Sequence, residues 1–144
     1  MSTFETNVRA AAVDTLGDYA QAASVPLNIT SARPRSIKAP AAYVDRMSEA
    51  LVYPAGINPQ RTVTCELVLL HGSFDDEDAA AQRDTFVDGY IAAVVADVHA
   101  AGPQSTLGVV AVEDDPTFIP DWLPREQQQI YFATRITLEG YQGD

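Results

Sequence analysis

Residues 61–70 carry an alternating pattern of side chains. Val63, Cys65, Leu67 and Leu69 fall on one face of an extended chain, with Thr62, Thr64 and Glu66 on the other. Successive side chains of a strand point to opposite sides, whereas a helix would scatter this set around its axis. The segment is predicted to be a strand, and its apolar face needs a second layer packed over it. Residues 127–141 repeat the pattern: Ile130, Phe132, Ile136 and Leu138 face one way, and Tyr131, Arg135, Thr137 and Glu139 the other. Bulk on both faces predicts a strand covered on two sides or lying at a subunit boundary. The apolar run at residues 107–112 reads as a further strand.

Helical spacing dominates two other segments. Ser2, Thr3, Phe4 and Glu5 have the form of a capping box, in which hydroxyl and carboxylate satisfy the free N–H groups of a helix start. Val8, Ala12, Leu16, Tyr19 and Ala23 follow as one apolar stripe, and Pro26 stops it, which predicts a helix over residues 3–23. Ser73 and Asp76 form a second capping-box-like start after Gly72. Asp75, Asp76, Glu77 and Asp78 place negative charge where the helix macrodipole is positive. Val87, Ile91, Val94, Val95 and Val98 continue as a core stripe until Gly102 and Pro103, predicting a helix over residues 76–101. Ala81, Ala92, Ala93 and Ala96 leave its other faces smooth enough for close packing.

The connections are legible from their turn formers. Residues 24–40 contain Pro26, Pro34 and Pro40 with Arg33, Arg35 and Lys38, a basic loop with room for a short strand at residues 27–30. Such a loop is either a solvated connection or an arm reaching a neighbouring subunit. Residues 41–52 suit a strand or a short helix, and residues 53–59 are a turn cluster. Residues 113–125 hold Pro116, Pro120 and Pro124 beside Phe118 and Trp122, which predicts a long exposed excursion. The sum is an α+β fold over residues 1–144 as one domain. A mainly antiparallel sheet of about four to five strands carries two amphipathic helices packed on it.

Charge restricts the partners. The net charge is -11, with eleven carboxylates between Asp75 and Asp121 against one base, Arg83. Residues 1–60 balance acids against bases. An acidic chain lacks the Lys and Arg that displace counterions from phosphates, so sequence-independent nucleic-acid binding is disfavoured. Cys65 is the only cysteine, which excludes an intrachain disulfide. No apolar run approaches the length of a membrane span, and the start MSTFETNVRA lacks the basic-then-apolar form of a signal peptide. A soluble protein of a reducing cytoplasm is the expectation.

Motifs that carry chemistry are scarce. Cys65, His71 and Asp97 make a nucleophile–base–acid set on paper, but Cys65 is expected in the core and no glycine-rich elbow accompanies it. His99, expected near a helix C-terminus, is explained by the favourable charge there. A calcium loop counted from Asp75 puts Ala79, Ala80 and Phe86 where an oxygen ligand, glycine and glutamate are needed, so the motif fails. Glu113, Asp114 and Asp115 suit a cation or a solvated turn. No phosphate-binding glycine loop or paired CxxC occurs, and no cofactor is expected.

The order of elements resembles the tail terminator proteins of long-tailed bacteriophages. The resemblance rests on the opening helix (Val8, Ala12, Leu16, Tyr19) and the proline-rich lead into Ala39-Pro40-Ala41-Ala42-Tyr43-Val44. It continues through the strand at residues 62–70, the acidic loop, the helix at 76–101 and the closing run Ile130-Tyr131-Phe132-Ala133-Thr134-Arg135-Ile136-Thr137-Leu138-Glu139. The chain is also similar to neck and head-completion proteins, which share its size and style.

The resemblance implies a virion protein, assembled in the host cytoplasm, that forms a hexameric ring on the tail tube. Such a ring stops polymerisation, docks the neck and passes genomic DNA without gripping it; it implies no active site, no cofactor and no membrane. Negative walls would let DNA slide, and the candidates are Asp75, Asp76, Glu77, Asp78, Glu113, Asp114 and Asp115. Candidate subunit contacts are Arg33 and Arg35 on the basic loop, with Phe118, Trp122, Tyr131 and Tyr141 as aromatic anchors. The competing readings are a head-closure or neck adaptor, a small enzyme using His71 or His99, and a monomeric module gripping a basic partner.

Overall fold

The computed structural model describes residues 3–52 and 60–142. Ser2 of the expected capping box and the turn cluster at 53–59 lie outside these residues. The elements run α1 (Thr3–Ala22), β1 (Asn28–Thr30), β2 (Ala41–Val52), β3 (Gln60–Ser73), α2 (Glu77–Ala96), β4 (Ser105–Phe118), a 3-10 turn (Arg125–Gln127) and β5 (Tyr131–Gln142). The strands form one five-stranded sheet in the order β1-β2-β3-β5-β4. β1 joins β2 in parallel, and all the other pairs are antiparallel. This is the expected α+β architecture.

Both helices lie on one face. α1 buries Phe4, Val8, Ala12 and Leu16, and α2 buries Phe86, Val87, Tyr90 and Val94, against Val63, Cys65, Leu67 and Leu69 of β3 and Ile136 and Leu138 of β5. The alternation read at residues 61–70 is thus the division between the helix-covered face and the second face. Gly140 of β5 lets α1 sit close: a Cβ there would lie 2.6 Å from a Val8 methyl. Cys65 is fully buried, and burial pushes its thiol up to about 12, so it behaves as a small apolar residue.

The second face carries its own smaller core at one end. Tyr43, Val68, Leu70, Tyr131 and Ala133 pack there under Ile37, Phe118 and Trp122. β5 is therefore covered on both sides at its start, as its bulky alternation predicted.

Several expected boundaries differ. The ambiguous residues 41–52 are strand, because β2 pairs along β3 from Ala41 to Val52, with a bulge between Val44 and Arg46. Residues 113–118, expected in an exposed excursion, continue β4, since pairing with β5 supplies hydrogen bonds that their local composition does not advertise. α2 ends at Ala96, not 101: Asp97 caps it, and the Val98 carbonyl accepts from the Leu107 N–H at 2.7 Å, drawing the chain into β4. The stripe on α2 is also rotated. Phe86 and Tyr90 fill the core, while Val95 is 66% exposed and Val98 38%. Asp76, not Ser73, is the N-cap and accepts from the Asp78 N–H at 2.9 Å; the Ser73 hydroxyl donates to Asp75.

Candidate functional site: the acidic end of the sheet

Two acidic groups far apart in sequence meet at one end of the sheet. β3 finishes at Ser73 opposite Tyr131, and Asp75, Asp76, Glu77 and Asp78 turn directly from it into α2. β4 arrives at the same end, with Asp115 paired to Ala133 and Phe118 to Tyr131. Glu113, Asp114 and Asp115 therefore stand on the edge strand at the end where α2 begins.

Their roles differ. Asp76 serves as the helix cap, and Asp115 accepts from the Thr117 N–H at 3.1 Å, tying its own turn. Asp114 faces the helix layer and takes the Arg83 Nε–H at 2.9 Å. That hydrogen bond, with the Asp84 carboxylate beside it at 3.2 Å, holds the guanidinium above its usual value. The acidic segment's only base is thus spent inside it, joining α2 to β4.

Asp114 also anchors a buried chain. The Thr134 hydroxyl donates to Asp114 at 2.9 Å, and His71 Nε2 lies 2.8 Å from the same hydroxyl. A carboxylate offers only lone pairs, so Thr134 must donate to it and accept from His71; this places the imidazole proton on Nε2. His71 is buried, its ring edge-on to Phe132 at 5.7 Å, and burial lowers it to about 4. No motif announces Arg83, Asp114, Thr134 and His71 as a group. They come from four elements, and only the isolation of Arg83 among acids signalled a partner.

On the second face, Arg135 of β5 reaches Glu66 at 3.1 Å and Asp45 at 3.5 Å, while Arg33 donates to Asp45 at 2.6 Å. Arg33 also lies 4.9 Å over the Trp122 ring, whose indole N–H donates to the Pro34 carbonyl at 2.8 Å. Glu66, Glu113, Asp114, Asp115 and Arg135 border a concavity of about 440 Å³. Among the described residues no cluster of His, Cys, Asp and Glu is placed to hold a metal ion.

The candidate anchors separate. Tyr131 is 3% exposed, so its bulk is spent inside its own chain, a correction to the outward role expected for it. Phe118 and Trp122 pack partly buried over the second core, and Arg33 is held by Asp45. Arg35 is exposed, as is Tyr141 at 38%. The paper set of Cys65, His71 and Asp97 does not assemble: Cys65 and His71 are six residues apart on one strand, on the order of 20 Å, and Asp97 caps α2. His99 lies beyond that helix and its Nδ1 meets the Ser105 carbonyl at 2.6 Å.

No described helix is long and apolar enough to cross a membrane. Compared with known proteins, the chain matches no family and no curated sequence.

Proposed function

We propose that this chain is a structural protein of a phage tail, a ring component that caps the tail tube, stops its polymerisation and joins the tail to the neck. The observation that best supports this reading is the convergence of residues 75–78 and 113–115 at one end of the sheet, beside a long open strand. A repeated subunit built this way gathers negative charge into a wall, and like-signed walls repel a passing polyanion without holding it. The order of elements adds the resemblance to tail terminators, with the sheet carrying both helices on a single face.

The test is imaging of particles assembled without the chain. Overlong tails lacking heads support tube capping. Tails of normal length that fail to join heads point to a neck adaptor, and normal, joined tails sink both.

A further inference from the structure

β4 is an edge strand of 14 residues, with no strand on its outer side among the described residues. Long open edges pair with other strands unless something blunts them. Val110 is 57% exposed and Val112 37%, so this edge offers apolar contact along with its backbone.

The opposite edge is stepped. β1 covers only Ala41, Ala42 and Tyr43, and among the described residues no strand pairs with β2 on that side from Val44 onward. The register carries height across the sheet: Val112 stands level with Val44, Val109 with Met47, and Ser105 with Leu51. Glu113 stands level with Thr30, and Asp115 with Asn28. The apolar part of β4 therefore matches the open length of β2, and its acidic part matches β1 and the basic loop that follows. β4 runs antiparallel to β2, so a neighbour in the same orientation would present its β4 antiparallel to this edge.

The charges agree. Arg35 and Lys38, in the loop after β1, and Arg46 of β2 are exposed, and among the described residues none of them, nor Glu113 or Asp115, is engaged in a salt bridge.

We propose that a second copy of this chain docks the edge of its β4 along the open edge of β2, head to tail, with Glu113 and Asp115 set against the basic loop. The pairing is strand addition between unlike edges. Repeated, such a contact closes into a ring when its rotation permits, and for that closure the inference rests on the ring reading above. A full-length two-fold pairing of β4 with β4 would instead set Glu113 against Val110 and Asp115 against Gly108, where no base meets them.

Sedimentation of the full chain against concentration tests this. Wild type self-associates. E113K/D115K and R35E/K38E/R46E, each checked as folded by circular dichroism, associate at least about tenfold more weakly. An equimolar mixture of the two variants recovers association, because each supplies the edge the other needs. Undiminished association of R35E/K38E/R46E overturns the proposal in favour of β4–β4 pairing. A wild type that stays monomeric at millimolar concentration also overturns it. Tail length in particles lacking the chain is read separately, so edge pairing can fail while tube capping stands.

Discussion

Tyr19 lies across the bare backbone of Gly89. A Cβ on Gly89 would sit 2.0 Å from the Tyr19 hydroxyl oxygen and 2.1 Å from its ring carbon Cζ. The hydroxyl meanwhile donates to the Thr85 carbonyl at 2.9 Å, and the ring meets Phe86 edge-on at 5.8 Å. α1 and α2 cross at this point, and the absent side chain sets how near they come.

Gly89→Ala should therefore destabilise the fold although alanine is the better helix former. The gain in helix propensity is at most about 1 kcal/mol, whereas displacing Tyr19 loses a hydrogen bond and a ring contact and overpacks the crossing, together about 2–3 kcal/mol. Urea unfolding measures the difference. A variant as stable as wild type would show that the helices separate without cost.

Stability should fall in mild acid because of His71. Its folded value near 4 lies below the ordinary 6.5, so the unfolded chain takes up the proton first. The contribution is complete above about pH 6.5 and is lost as pH falls toward 4. Between pH 7 and 5 the loss is about 2 kcal/mol. His71→Gln should flatten this part of the pH profile; a slope unchanged in that variant would assign it to other groups.

Thr134→Val should cost about 1–3 kcal/mol, because it strands the buried His71 Nε2–H and removes one donor from Asp114. Combining it with His71→Phe should recover part of the loss, since both ends of the link are then apolar. Strictly additive losses in that double variant would contradict the coupling.

Arg135→Met should destabilise modestly, by about 1 kcal/mol, and the loss should shrink in high salt. Arg135 is more than a third exposed, so solvent screens its pairs with Glu66 and Asp45. A larger loss insensitive to salt would locate its value in packing.

Lysine at Asp75 and Asp78 should impair DNA delivery from assembled particles. Asp76 is left in place because it caps α2, and losing the cap would cost about 1 kcal/mol unrelated to DNA. Particles that assemble and deliver DNA normally with both lysines would remove these residues from the conduit.

Local periodicity determined a good deal here. The strand alternation of residues 61–70 placed Val63, Cys65, Leu67 and Leu69 on the buried face, and the spacing from Val8 to Leu16 placed α1's contact side. These patterns are written residue by residue, since each burial preference acts at its own position. On α2 the same reasoning slipped. Valines cover several sides of that helix, so hydrophobicity alone did not distinguish Val95, which is exposed, from Tyr90, which is fully buried.

Tertiary structure decided what depends on partners distant in the chain. Residues 113–118 are strand because β5 pairs with them, and Phe118 and Trp122 find partial shelter over the core that holds Tyr43. The meeting of Arg83, Asp114, Thr134 and His71 follows from the strand order β3-β5-β4 with α2 laid across it. A side chain's period records which way it points. Which group it meets is fixed only when strands tens of residues apart choose one another, and that choice is made by the whole core at once.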